Sequence, residues 1–363
     1  MGYIGNDESF AYTDNFCENF LGGAVAAEAA VNLGGKLGGR FSRICIGYSC
    51  SEDYRAVSAI ISGMSGQSCE IFMLGEVAPA PFRYSLTLLD CAGVYVSSKS
   101  KKILFYGANG FGLAETEMIA VMNFASAEPT YKSQISHISG FDRVYLRFIE
   151  KSGDNSDKMS ASVSCGNKAV RNLWLSCFDG ENDRIVFQVS DDGEKVNAYI
   201  LGMGFVSYER LVLAYSVMLG RTSEEVYLPE RYHYSAEETA EKYGFKIRRF
   251  NPADGVPEKA SEQIFLKDSL YMCRSLMHDY SDFIDILSDM PKFSSARIEI
   301  PLPENNFPDK SVYPQRTGRV FLERSGRSTL SVLAQAMDSE TAAELCSSFE
   351  AQLHKRGYCG GIR

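Results

Sequence analysis

The sequence predicts a multi-domain α/β protein, and three observations lead there. Strand, helix, strand, helix and strand follow one another between residues 43 and 97, the order that builds a parallel sheet covered by helices. The order returns as strand, helix, strand over 226–250. From about residue 294 strands follow one another and a single helix closes the chain, the order of an α+β unit. At 363 residues, 45% of them apolar, the chain can bury several cores of ordinary size.

Composition removes several classes of function. A net charge of −9 with no long basic block makes nucleic acid and anionic membrane poor partners. Ten cysteines stand singly, none in a CxxC pair, beside only four histidines. That pattern points to neither a zinc site nor a disulfide framework. Reduced thiols fit a cytoplasmic location. The start, Met1 to Phe10, lacks the basic and apolar segments of a signal peptide. No apolar run approaches the length of a membrane span.

The elements follow in order. Phe16, Phe20, Leu21, Ala24, Val25, Ala29 and Leu33 recur mostly at three- and four-residue intervals, predicting a helix from Thr13 to Leu37 with Thr13 or Asp14 as cap. Gly34, Gly35, Gly38 and Gly39 are expected to end it. A short buried strand, Arg43 to Tyr48, precedes a helix from Asp53 to Met64 and a strand from Glu70 to Leu74. A helix from Ala80 to Leu89 and a strand from Gly93 to Ser97 complete this unit. Next come a helix from Ala114 to Ala125, a strand from Arg143 to Glu150, and a Ser/Asp/Lys-rich connection from Ser152 to Asp157. Ile185 to Val189 reads as a strand, with Asp192-Gly193-Glu194 as a hairpin turn. The second half predicts a helix from Phe205 to Leu219, a strand at Val226 to Leu228, and a helix from Ala236 to Tyr243 stopped by Gly244. Strands at Lys246 to Phe250 and Ile264-Phe265 and a helix from Asp268 to Leu287 follow. The last unit reads as strands at Ala296 to Ile300, Arg319 to Glu323 and Leu330 to Ala336, then a helix from Ser339 to His354.

Two stretches carry candidate chemistry. In Phe178-Asp179-Gly180-Glu181-Asn182-Asp183-Arg184, three carboxylates stand at alternate positions where a loop feeds a strand. A curved loop can turn Asp179, Glu181 and Asp183 inward, and hard carboxylate oxygens suit Mg²⁺. Arg184 adds a planar donor fork for phosphate or for a carboxylate of the loop. The alternative is an acidic surface turn. The other stretch, Ser97 to Gly107, leaves the carboxyl end of the third strand, where such sheets place their sites.

At this point the sequence resembles the first domain of the α-D-phosphohexomutases, which interconvert 1- and 6-phosphates of hexoses. Ile44 to Gly47, Glu70 to Phe72, Ala78-Pro79-Ala80-Pro81 and Ala92 to Val96 repeat that family's order. Its last strand ends in a Thr-Ala-Ser-His-Asn-Pro loop. Laid without gaps between Gly93 and Gly107, the phosphorylated serine of that loop falls on Lys99, with Ser98 and Ser100 on either side. The family's Asp-Gly-Asp-x-Asp-Arg loop, which holds Mg²⁺, is similar to Asp179 through Arg184 with one Asp-to-Glu change. Its sugar-gripping loop falls on Pro257 to Glu262, where only Glu258 is kept. Its phosphate clamp, Arg-Pro-Ser-Gly-Thr-Glu-Pro, corresponds to Glu323-Arg324-Ser325-Gly326-Arg327-Ser328-Thr329. There Arg324, Ser325, Gly326 and Arg327 either hold a phosphate or form an ordinary hairpin turn.

The resemblance implies a phosphohexomutase-like α/β architecture with mixed sheets. Its units span 1–114, a shortened second domain at 115–200, a third at 201–293, and a C-terminal α+β domain at 294–363. It also implies a phosphosugar ligand and Mg²⁺. With Lys99 on the serine position, its ammonium would stand beside Asp179, Glu181 and Asp183 as a built-in cation in place of Mg²⁺. Three functions follow as expectations. The chain is a family relative with lost or weakened mutase activity that keeps phosphosugar binding. Or it is an active Mg²⁺-dependent mutase or phosphatase using Ser98 or Ser100. Or it is a non-catalytic scaffold that binds a partner.

Overall fold

A computed structural model of the protein describes residues 24–97, 102–124, 133–151, 159–180, 184–302, 308, 312–315, 317–324, 329–356 and 358. The first sheet has the order β4-β3-β1-β2-β5, with β1 at Arg43–Tyr48, β2 at Glu70–Glu76, β3 at Ala92–Ser97, β4 at Lys102–Tyr106 and β5 at Gln134–His137. β1 pairs in parallel with β2 and β3, β2 in parallel with β5, and β4 folds back antiparallel on β3. The four inner β1 residues, Ile44 to Gly47, are all buried, as a strand covered on both faces requires. Residues 134–137 thus close the first sheet, although they lie past the expected boundary at 114.

Helices α1 (Ala24–Arg40), α2 (Tyr54–Met64), α3 (Pro79–Leu89) and α4 (Glu115–Met122) cover this sheet. The four glycines expected to end the first helix lie inside it. They serve close packing: a Cβ on Gly34 would stand 1.9 Å from the Ile60 carbonyl oxygen, and one on Gly63 1.8 Å from that of Val31. The two helices cross backbone to backbone there. The proposed caps Thr13 and Asp14 lie outside the described residues.

The second sheet, β6-β7-β8-β9, takes β6 from Ser162–Ser164, β7 from Ile185–Val189, β8 from Val196–Ile200 and β9 from Gly204–Val206. β6 and β7 are parallel, and the other pairs antiparallel. Two sequence expectations change here. Residues expected as a strand at 143–150 form helix α5 (Phe141–Lys151). Tyr145 and Ile149, four apart, are its buried positions, so the period is helical despite the β-branched and aromatic content. The helix expected from Phe205 begins only at Tyr208, because residues 204–206 pair with β8 as an edge strand. Helix α6 (Lys168–Leu175) starts at Asn167, whose side chain accepts from the Ala169 and Val170 amides, a conventional cap. The connection at 152–157 lies outside the described residues.

The third sheet pairs β10 (Glu225–Pro229) in parallel with β11 (Lys246–Phe250); α7 (Tyr208–Gly220) precedes it and α8 (Ser235–Tyr243) connects its two strands. Gly244 ends α8 at φ +81°, a conformation glycine adopts without cost. The strand expected at Ile264-Phe265 is a short 3-10 turn, Ile264–Leu266. It follows the four-residue helix α9 (Glu258–Ser261). The long helix expected from 268 to 287 divides into α10 (Ser269–His278) and α11 (Tyr280–Asp289). Asp279, between them, accepts the Asp282 amide and caps the second.

The C-terminal sheet is wholly antiparallel, β12-β15-β14-β13. Its strands are Ser294–Pro301, Thr329–Ala336, Gly318–Arg324 and Val312–Gln315, and α12 (Ser339–Lys355) packs on one face. The α+β character expected for this unit is present. One apolar cluster runs from the second sheet into the third unit and includes Trp174, Phe178, Phe187, Val226, Phe265 and Phe283. The C-terminal sheet keeps a separate cluster under α12.

Candidate functional site

The carboxyl ends of strands from three sheets meet at one cavity of about 340 Å³. Ser49 follows β1, Ser97 ends β3, Gly166 and Asn167 follow β6, Ser190 and Asp191 follow β7, and Arg231 follows β10; all line it. A parallel sheet leaves its loops at that end, where a ligand is held by side chains from neighbouring strands.

Each wall is fixed locally. Asp53, buried, accepts from Ser49 Oγ at 2.6 Å and from the Ser49 and Cys50 amides at 3.2 and 3.1 Å. The turn after β1 is therefore held shut from beneath. Tyr95 donates its hydroxyl to the Val77 carbonyl at 2.8 Å. Burial, and then the nearby carboxylates of Asp53, Asp192 and Glu194, push its phenol well above the ordinary range. Across the cavity, Gly193 at φ +74° turns the β7–β8 hairpin. Asp192 Oδ1 accepts there from Ser190 Oγ and from the Glu194 amide.

Arg83 joins the walls from below. It is 3% exposed and donates from Nε to the Gly110 carbonyl at 3.0 Å and from Nη1 to the Lys267 carbonyl at 3.1 Å. The same Nη1 stands 3.5 Å from Glu194 Oε1, and the guanidinium lies over the Tyr106 ring. Lys267 donates to the Asn109 carbonyl. Its burial and the Arg83 charge bring its ammonium down to about 8. Tyr145 donates to both oxygens of the buried Asp268, whose carboxyl is held above the usual range by burial. Three units are thus tied at one point beneath the cavity.

The expected site residues distribute as follows. Ser97, which begins the serine-loop equivalent, lines the cavity; Ser98, Lys99 and Ser100 lie outside the described residues. Ser97 pairs with Lys102 across β3 and β4, so both strands reach the cavity edge. In the acidic hexapeptide, Asp179 and Arg184 are exposed and flank the start of β7; Glu181 and Asp183 lie outside the described residues. Asp179 Oδ1 accepts the Ala161 amide at 3.2 Å. That end of the five-residue strand is roughly 15 Å from its cavity end. The chain holds a second Asp-Gly-Glu tripeptide, Asp192-Gly193-Glu194, whose two carboxylates line the cavity together with Ser97.

Glu258 is exposed on the short α9 and does not line the cavity. Ser325, Gly326 and Arg327 lie outside the described residues, and Arg324 ends β14. At the other end of that strand, Arg319 donates to the Tyr232 carbonyl. Arg324 is therefore about 17 Å along the sheet from that contact. Arg83, Asn167, Asp191, Lys195 and Arg231 were missed from sequence. The available signal was topological: the short strand before Gly166-Asn167 runs parallel to β7, so their carboxyl ends had to coincide.

The described carboxylates do not fit a divalent ion. Asp192 Oδ1 is committed to its own hairpin, and Glu194, which also lines the cavity, is paired with the Arg83 guanidinium. Among the described residues no three His, Cys, Asp or Glu side chains converge as metal ligands. Among them, too, no helix is long and apolar enough to cross a membrane.

No protein-family model matches the chain, and no curated protein matches it by sequence. Solved structures do match. A phosphoglucomutase/phosphomannomutase family protein from Burkholderia thailandensis superposes with a TM-score of 0.68 at 11% identity, over 92% of this chain and 94% of that one. A Thermus thermophilus protein assigned as a phosphomannomutase gives 0.65 at 11% identity, over 90% and 94%. The Paramecium exocytosis-sensitive phosphoprotein parafusin, a phosphoglucomutase in its open form, gives 0.54 at 10% identity, over 98% and 95%. The chain has a divergent phosphohexomutase-like fold.

Proposed function

We propose that this chain binds a hexose phosphate in the cavity at the ends of β3 and β7, and that its mutase chemistry is weak or lost. The supporting observation is the convergence of Ser49, Ser97, Asn167, Asp191, Lys195 and Arg231 from three sheets on one cavity. Hydroxyl, amide and carboxylate groups match sugar hydroxyls, and the two cations match a phosphate. The shared fold brings the substrate class, since solved structures with this fold carry phosphoglucomutase and phosphomannomutase names.

Weakness of the chemistry follows from what a transfer would need. Phosphoryl transfer rests on positioning and charge neutralisation. In the direct register the donor position is Lys99, leaving Ser98 and Ser100 as the candidate carriers. Glu258, the retained residue of the sugar-loop equivalent, stands away from the cavity. Opposite the Asp192–Glu194 hairpin the cationic group is Arg83, so any Mg²⁺ in this reading would belong to the acidic hexapeptide and not to this hairpin.

Calorimetric titration with glucose 1-phosphate, glucose 6-phosphate and mannose 1-phosphate, each with and without Mg²⁺, tests it. At least one should bind without Mg²⁺, and Lys195→Gln, which removes a charge at an exposed position of the cavity wall, should weaken it roughly tenfold. Failure of all three to bind rejects the ligand class. Turnover in the presence of a hexose bisphosphate, with phosphate found on Ser98 or Ser100 by intact mass, would instead establish an active mutase.

A further inference from the structure

One hydroxyl on the cavity wall is set against a buried carboxylate. Ser49 leaves β1, the central strand of the first sheet, at its carboxyl end and lines the cavity. Its Oγ donates to Asp53 Oδ2 at 2.6 Å, a length typical of a hydroxyl bonded to a carboxylate. The Ser49 and Cys50 amides hold the same oxygen at 3.2 and 3.1 Å. Those amide bonds alone close the turn. The hydroxyl bond adds an acceptor for the one proton that a reacting Ser49 must lose. A nucleophile, a base within hydrogen-bond reach and groups that orient the base are the parts of an activated hydroxyl.

The surroundings suit an incoming phosphate. The Ser49 amide also donates to the Val96 carbonyl at 3.0 Å, which sets this turn beside the end of β3 and Ser97. The turn at Ser51–Asp53 opens directly into the 11-residue α2, so the positive end of that helix dipole lies on the Ser49 side. Lys195 and Arg231 line the same cavity, and fixed cations neutralise a phosphoryl group as it moves. Pro79, Leu104, Phe111 and Leu266 supply apolar wall, against which such charge contacts gain strength.

We propose that Ser49, with Asp53 as its base, accepts a phosphoryl group from the bound ester and passes it to water, so that the cavity hydrolyses a sugar phosphate. This activity rests on the reading of the cavity as a hexose phosphate site, and it uses a hydroxyl on a different strand from Ser98 and Ser100. In the first step Ser49 Oγ bonds to phosphorus as the bond from phosphorus to the sugar oxygen breaks. The Ser49 proton passes to Asp53, while the sugar oxygen takes a proton from the Lys195 ammonium and leaves as a hydroxyl. In the second step water attacks the phosphoserine, gives one proton to the Lys195 amine and stays on phosphorus as the hydroxyl of hydrogen phosphate. Asp53 returns its proton to Ser49 Oγ as that bond breaks. Ester and water are consumed, sugar and phosphate are released, and every side chain ends as it began.

The test incubates the full chain with each of the three hexose phosphates and, separately, with acetyl phosphate, an activated donor that needs no sugar contacts. Released phosphate is measured, and peptide mass spectrometry of the acid-quenched protein locates any phosphoserine. Acetyl phosphate and at least one hexose phosphate should leave phosphate on Ser49. Ser49→Ala should abolish that label and lower phosphate release from the hexose phosphate roughly 100-fold, while calorimetry still shows the ester bound. Ser49→Thr, which keeps a hydroxyl, should retain part of the release. Asp53→Asn should lower release to a similar degree; because it also weakens the turn, its melting temperature is read alongside, and the two Ser49 variants decide if it does not fold. A hexose phosphate that binds while neither donor labels Ser49, or release unchanged in Ser49→Ala, overturns the proposal and leaves the sugar site standing. Labelling of Ser49 by acetyl phosphate when no hexose phosphate binds upholds Ser49 as the phosphoryl acceptor and rejects the sugar reading by itself.

Discussion

Arg83 shows what a single side chain must do for this fold. It is buried, yet it satisfies two carbonyls, faces Glu194 and covers Tyr106. Removing one partner of a buried charged pair leaves the other uncompensated, a larger loss than the pair's net worth. Arg83→Met should therefore lower unfolding stability by about 3 kcal/mol in urea titrations. Arg83→Lys should recover less than half of it, because an ammonium cannot serve both carbonyls as a planar fork does. A loss below about 1 kcal/mol would mean that the network is held by its other members. This residue was illegible in the sequence, where it is one arginine in a helix. Its acidic partner, Glu194, was legible in the sequence only as part of the hairpin turn 192–194, and strand direction puts that turn at the carboxyl end of β7.

At the scale of elements, alternation placed most strands and helices of the first and third units, because covered parallel strands and amphipathic helices declare their periods. Departures arose where tertiary contact overrode local signals. Gly34, Gly35, Gly38 and Gly39 look like a helix terminator, but α1 runs through them to Arg40, and at Gly34 α2 lies too close for a side chain. Alanine is worth about 1 kcal/mol more than glycine inside a helix, so propensity alone predicts that Gly34→Ala and Gly63→Ala stabilise. Contact predicts the reverse: the new Cβ atoms would lie 1.9 and 1.8 Å from backbone oxygens, and the helices must separate. Overpacking of this kind costs roughly 1–3 kcal/mol. Both variants should unfold at lower denaturant concentration than the parent. Stabilisation by either would show that the helices can part freely.

Across the whole molecule, two kinds of junction hold the parts, and they respond differently to pH. The first three units share the Arg83 network and one apolar cluster. The C-terminal sheet docks through smaller contacts: Arg319 to the Tyr232 carbonyl, Gln335 to the Arg231 carbonyl, and His233 to the Ala336 carbonyl at 3.1 Å. His233 is 2% exposed and stacks between Tyr234 and Phe293 at 4.3 and 4.4 Å. Its Nδ1 accepts the Ser235 amide at 3.1 Å, so Nε2 carries the proton and donates to Ala336. Burial first, then the charges of Arg319 and Arg249, outweigh the Ala336 bond and Glu237 and bring it down to about 4 from an ordinary value of 6.5. Between those values the unfolded chain binds the proton and the folded chain does not. Stability from this residue is therefore complete above pH 6.5 and falls as pH drops toward 4, by up to about 3 kcal/mol. The carboxylates titrate in the same window, so the informative quantity is the difference between parent and His233→Gln across it. Because a glutamine cannot charge, the variant's denaturant midpoint should fall less steeply from pH 6.5 to 4. It should be the less stable protein at pH 7 and approach or overtake the parent near pH 4. Parallel curves would show that the imidazole takes up its proton without loosening the C-terminal sheet.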